Sequence, residues 1–293
     1  MDYGIRVGAE QRWDADLRPR FGELPAFLDG MRALGVRFVE FGTDEDPPRD
    51  NLIAYAHACA GAGLRVSLHP YLRRFGPEAF GAGVWPDDLR PFLRLAYELG
   101  EIAGGPAPLV FHGGMADYKP HYVGLATATA NARAFLAWAE EEVRAACPRV
   151  RLFCETQLPA EPDDAFVRVG YTYERCMGLV EGTDIGVCWD FGHAFRSVLL
   201  GHHAPMPPAE FLRRVGHVHA HDTIPHPEKP ARTIDHRALG TGICPWRDYA
   251  RLLAEAGYAG GILFELPVER YESHEELAEM VRFSVGELDG IFG

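Results

Sequence analysis

Residues 186–195 read GVCWDFGHAF. An apolar run from Ile185 to Trp189 ends in Asp190, and His193 follows three residues later. A carboxylate that closes a buried run is ordinarily a helix cap or a turn residue. An imidazole within its reach raises a second role, a shared cation. The pattern recurs along the chain. LRVSLH ends in His69, PLVFHG carries His112, VRLFCE ends in Glu155, and VGHVHAH carries His217, His219 and His221. Asp235 and His236 come next, and GILFEL carries Glu265 near its end. Gathering such groups in one place is costly, because like charges oppose one another's ionisation. Divalent cations remove that cost, and imidazole with carboxylate oxygen and no thiolate suits Zn, Mn, Co or Fe. His217, His219 and His221 share one face of a strand by period two, so spacing leaves the choice among them open. His57, His121, His202, His203, His226 and His274 lie away from these strand ends and read as ordinary buried or surface histidines.

These side chains meet only if their strands do. Eight short β-type runs occupy residues 3–7, 36–42, 64–69, 108–113, 150–155, 184–190, 215–221 and 261–266. Segments with helical spacing lie between them. ELPAFLDGMRALG keeps Leu24, Phe27, Leu28, Met31 and Leu34 on one side, and DDLRPFLRLAYELGEIA and ATATANARAFLAWAEEEVRAA do the same at greater length. Glycines in RALG and AEAG stand where a helix must stop before the next strand. Strand–helix alternation repeated eight times predicts an α/β fold, a (β/α)8 TIM barrel, with residues 1–293 as one domain. A doubly wound sheet would carry a Gly-rich phosphate loop after its first strand; GIRVGAEQRW is no GxGxxG and has no P-loop lysine. The longest connections, residues 70–85, 113–123, 156–164 and 222–245, follow the C-terminal ends of strands, the face that carries chemistry in such a barrel.

The chain has 293 residues, 47% hydrophobic and 24% charged, in the range of ordinary globular proteins. Lys and Arg total 29 against 42 Asp and Glu, a formal charge of −13. That balance disfavours a broad electrostatic grip on nucleic acid or an anionic membrane. The six cysteines form no CxxC pair and read as buried free thiols of a reducing compartment. MDYGIRVGAE lacks a basic segment followed by an apolar core, and no apolar run reaches about 18 residues, so the expectation is a cytoplasmic enzyme.

On these residues the chain resembles the xylose-isomerase-like TIM-barrel superfamily, and within it the endonuclease IV family of apurinic/apyrimidinic endonucleases. GVCWDFGHAF is similar to the family's Gly-Val-Cys-x-Asp-x-x-His-Ala-Phe. LHPYL is similar to its His-x-x-Tyr-Leu stretch with one residue fewer, and LVFHGG has Gly113 where the family has Pro. HAHD has His221 in place of Asn, HRALGTG matches His-x-x-Leu-Gly-x-Gly, and LFEL matches the final strand. The resemblance implies a metal-dependent hydrolase of DNA repair, cleaving damaged DNA or a small phosphodiester, with two to three Zn or Mn ions per chain. His69, His112 and Glu155 would hold one metal. Glu155 would bridge to a second, shared with Asp190, His219 and Glu265, and His193 with His236 would hold a third. The family's remaining ligand, an Asp two residues before the position of His236, is Ile234 here, and whether Asp235 replaces it stays open. Such metals generate a hydroxide at neutral pH and clamp the phosphate. In YLRRF, Tyr71, Leu72, Arg73 and Arg74 offer a wedge and phosphate contacts to a distorted duplex; a loop packing its own aromatics is the plainer role.

The superfamily also implies an alternative, a single-metal sugar isomerase or epimerase acting on a ketose or aldose. Glu155, Asp190, His219 and Glu265 would then surround one Mn or similar cation. Glu155 and Glu265 would move the proton, and His193 would contact substrate. The acidic charge favours this alternative, and His69, His112 and His236 favour the hydrolase. A binding protein with a degenerate site is a third reading, which the near-complete ligand set opposes.

Overall fold

The structure is a computed structural model that describes residues 1–43, 47–70, 85–117, 124–160, 166–229 and 232–293. Eight strands close into a parallel barrel: β1 (Asp2–Gly8), β2 (Val36–Thr43), β3 (Arg65–Pro70), β4 (Ala107–His112), β6 (Val150–Glu155), β8 (Gly186–Asp190), β9 (Val215–Ala220) and β12 (Gly261–Pro267). Their order around the barrel is β1-β12-β9-β8-β6-β4-β3-β2. These are the eight runs expected from the sequence. One boundary moves for a local reason. The run expected from Asp184 starts pairing at Gly186, because the Thr183 hydroxyl accepts a hydrogen bond from Ile185 N (3.3 Å) and holds that stretch in a turn.

Alternation along each strand divides the core in two. One set, including Ile5, Val39, Phe41, Val66, Leu68 and Phe264, packs with the surrounding helices in one large cluster. Those helices include Leu24–Ala33, Arg49–Gly61, Leu125–Ala146 and His274–Phe292. The last is capped by Ser273, whose hydroxyl accepts from Glu276 N (3.2 Å). The other set points into the barrel, where Val110, Phe153 and Cys188 form a separate apolar cluster. Near the N-terminal end of the barrel His217 lies between Phe38 and Phe153, each ring 5.6 Å away. Gly4 leaves room for that packing, since a Cβ there would come within 2.3 Å of the Phe38 ring.

Two of the connections expected as plain loops contribute to small antiparallel ribbons above the barrel's C-terminal mouth. β10 (Asp222–Pro225) pairs with β11 (Thr233–Arg237), and β5 (Met115–Asp117) pairs with β7 (Phe166–Arg168). Strands this short carry no apolar alternation, so the sequence offers no periodic signal for them. All six cysteines are buried and free. Among the described residues no helix is long and apolar enough to cross a membrane.

Gly4→Ala should destabilise the fold by about 1–3 kcal/mol in urea or thermal unfolding, through overpacking against Phe38. Gly61→Ala, at a helix end where a Cβ meets nothing within 4 Å, should be neutral or slightly stabilising by the same assay.

Candidate metal centre

Asp190 is the last residue of β8 and the residue before the helix Phe191–Leu199. Its Oδ1 accepts the backbone N–H of His193 (2.7 Å), the ordinary helix-cap role. Its Oδ2 has no hydrogen-bond partner and turns to a buried cluster. The cap role is taken by Oδ1, and Oδ2 is the oxygen placed for a shared cation. Glu155 reaches the same point from the end of β6, His219 from β9 and Glu265 from β12. One donor atom from each of the four lies within 4.8 Å of the others. His219 Nδ1 is 3.4 Å from Glu155 Oε1, 3.7 Å from Glu265 Oε2 and 4.0 Å from Asp190 Oδ2.

All four residues are buried. Both oxygens of Glu155, Asp190 Oδ2, His219 Nδ1 and Glu265 Oε2 lack hydrogen-bond partners. Buried carboxylates are costly without compensation, and unpartnered atoms aimed at one another are what a cation would satisfy. Three carboxylates with one imidazole and no thiolate fit a divalent ion such as Mn or Zn.

Two histidine clusters flank this centre. His69 Nε2 and His112 Nε2 stand 3.2 and 3.0 Å from Glu155 Oε2. His69 Nδ1 lies 3.0 Å from the Val110 carbonyl, which it can reach only as a donor, so the lone pair of the neutral ring is left on Nε2. Glu155 thus offers Oε1 to one cluster and Oε2 to the other. On the opposite side His193, His221 and His236 form a third cluster. The rings of His221 and His236 stack with centroids 4.5 Å apart, and His236 N donates to His221 Nδ1 (3.0 Å). His236 has φ 56°, the one positive value at a non-glycine position among the described residues. Gly192 admits His221 to this place, since a Cβ there would lie 2.0 Å from the imidazole.

Asp235 does not join the third cluster. Its Oδ1 accepts from the hydroxyls of Thr223 (2.6 Å) and Thr233 (2.8 Å). His221 is the residue that faces His193 and His236. His217 also lies elsewhere, deeper in the barrel, with its Nε2 3.2 Å from Glu40 Oε2. Tyr71, Leu72, Arg73 and Arg74 fall outside the described residues. Two charged neighbours escaped the sequence reading. Arg6 Nη1 is 3.2 Å from Glu265 Oε1, and Glu40 Oε1 is 3.0 Å from His219 Nε2. The available signal for Glu40 was a carboxylate in the interior of an apolar run, VRFVEFG. A cavity of 320 Å³ opens over the centre, bordered by Arg6, His112, Gln157, His193, His236 and Glu265.

Burial opposes the charge on Glu155, but the imidazoles of His112, His69 and His219 outweigh it and hold the carboxyl well below its usual range. Burial likewise opposes Glu265, and His236, His219 and Arg6 hold it low. Burial opposes protonation of His193, yet Asp190 and Glu155 lift it to about 10. His219 is also raised, with Cys188, Glu40, Glu155 and Glu265 outweighing its burial.

The metal-free protein should therefore lose stability in two directions. The contribution of His193 is complete below its ordinary value of 6.5 and is lost as pH rises towards about 10. The contributions of Glu155 and Glu265 are present above the ordinary carboxylate value of 4.5 and are lost as pH falls below it. Denaturant titrations across pH check both limbs. Addition of Mn²⁺ or Zn²⁺ at pH 7 should release protons, because His219 must give up its Nδ1 proton to bind. Calorimetry in two buffers of different ionisation enthalpy reads that release, and its absence would remove His219 from the ligand set.

Comparison with known proteins agrees with this architecture. No curated protein matches the sequence. Among solved structures, L-ribulose 3-epimerase superposes with a TM-score of 0.69 at 18% identity, covering 98% of this chain and 95% of that one. The 3-keto-D-glucoside 4-epimerase YcjR from E. coli gives 0.67 at 16% identity over 99% of both chains. The IolI protein, solved with a bound zinc atom, gives 0.67 at 14% identity over 100% of both. Identities this low speak to the fold. The profile of the xylose isomerase-like TIM barrel family matches residues 28–284, and the chain belongs to that family.

Proposed function

We propose that this chain is a divalent-metal-dependent isomerase or epimerase of a small ketose or aldose. The observation that carries the reading is the set of unpartnered buried atoms that Glu155, Asp190, His219 and Glu265 turn to one point beneath an open cavity. A cation bound there supplies Lewis-acid polarisation of a sugar carbonyl and the hydroxyl beside it. The remaining work falls to the chain's own groups. Glu155 and Glu265 approach from β6 and β12, with β8 and β9 between them. Both stay ionised at neutral pH, as a base for carbon acids must. One removes the proton from the carbon next to the carbonyl and passes it to solvent, and the other takes up a proton from solvent and returns it from the opposite side or to the neighbouring carbon. Arg6 holds Glu265 through Oε1. His193, at the cavity wall, is placed to contact a sugar oxygen.

Several solved barrels of this shape are named as sugar epimerases, including D-psicose 3-epimerases crystallised with D-tagatose or D-fructose. That supports the sugar reading over cleavage of abasic DNA, as does the formal charge of −13. A second reading, a phosphodiester hydrolase with two or three metals, draws on the His69–His112–Glu155 and His193–His221–His236 clusters.

In D₂O the metal-loaded protein should exchange one C–H proton of a ketose or aldose for deuterium, seen by NMR. Glu265→Gln should slow that exchange about 10²–10⁴-fold. A broad sugar panel without any exchange would sink the proposal. Elemental analysis separates the two readings, since the epimerase needs one cation per chain and the hydrolase needs two or three.

A further inference from the structure

We propose that Glu40 is a positioning residue for the metal centre, acting on it through His219 from inside the barrel. The inference goes beyond the sugar reading and rests only on the four-residue centre. His219 is the single imidazole in that set. To present a lone pair at Nδ1 it must carry its proton on Nε2, and a buried N–H requires an acceptor. Glu40 Oε1 lies 3.0 Å from that nitrogen. At the ring orientation seen, the contact lies off the N–H axis, and neither atom has a hydrogen-bond partner.

The carboxylate itself is tied down. Its other oxygen, Oε2, accepts from the Ser67 hydroxyl (2.9 Å) on β3 and meets His217 Nε2 (3.2 Å) on β9. His217 is in turn held between Phe38 and Phe153. Glu40, Ser67, His217 and His219 are all buried, so water does not compete for these contacts. A carboxylate in so dry a place is costly, and a partner that orients a metal-binding ring is a reason for keeping it. Such partners fix the tautomer and the direction of the ligand, and their loss commonly weakens metal binding about 10–100-fold.

The test measures metal affinity, not turnover, so it stands or falls apart from the sugar reading. Mn²⁺ and Zn²⁺ dissociation constants of wild type, Glu40→Ala and Glu40→Gln are read by competition with a chromophoric chelator. Melting of each metal-free variant is recorded alongside. Glu40→Ala should bind about 10–100-fold more weakly, and Glu40→Gln, whose amide oxygen still accepts, should fall between it and wild type. In the Zn-loaded protein a slowly exchanging Nε2 proton of His219 should appear by NMR and exchange rapidly in Glu40→Ala. Variants that melt lower yet keep wild-type affinity and the protected proton would overturn the proposal. If Glu40→Ala does not fold, the nearly isosteric Glu40→Gln decides it, and unchanged affinity there overturns it equally.

Discussion

Three carboxylates meet in the nearly dry mouth of the barrel, and the cost of keeping them charged there governs what surrounds them. Glu155, Asp190 and Glu265 are all buried, and an ionised carboxylate without compensation is not stable in such a place. The compensation comes from rings. His69, His112, His193, His219, His221 and His236 each place a nitrogen within 4.0 Å of one of these carboxylates, and Arg6 adds a guanidinium. More imidazoles are present than four ligand positions require. In the absence of a cation His193 and His219, whose protonated forms the carboxylates favour, carry balancing protons, and a bound cation takes over part of that task. The protein thus has a way to hold the site together before metal arrives.

Delivery of these groups depends on depth as much as on direction. Residues two apart on a strand share a face but differ by about 6.6 Å along it. His217 therefore sits at the aromatic floor with Phe38 and Phe153, His219 at the centre, and His221 at the rim beside His236. The ribbon of β10 and β11 is anchored by Asp222, whose carboxylate accepts from the backbone N–H of Gly240, Gly242 and Cys244. That anchoring fixes the stretch that carries His236 across the mouth.

Depth also explains what could be read from the chain alone. Strands of a parallel barrel are covered on the outside by helices and on the inside by one another, so they appear as continuous apolar runs. A titratable residue at the end of such a run stands out, which made Asp190, Glu155, His69 and Glu265 visible together with the barrel. Spacing could not separate His219 from His217 and His221, because periodicity reports face and is silent on depth; the family resemblance alone singled it out. Glu40 and Arg6 lie within strands whose ends carry no ligand, and the one signal for Glu40 is a carboxylate inside an apolar run. The short ribbons had no periodicity, and the spacing of Asp235 gave no sign of the two threonine hydroxyls that hold it.

Glu155 makes the two functional readings compete at a single side chain. Its Oε2 faces His69 and His112, and its Oε1 faces His219 and His193. A cation shared with His69 and His112 would claim Oε2, and with Oε1 at the main centre both oxygens would then be bound. A carboxylate held that way bridges two metals, as phosphodiester chemistry requires, but is too stabilised to remove a proton from carbon. Left without a cation, His69 and His112 only stand beside Oε2, at 3.2 and 3.0 Å, and the carboxylate keeps the lone pairs a base needs. The choice between hydrolysis and proton transfer therefore turns on whether the His69–His112 pair binds a metal or only steadies Glu155.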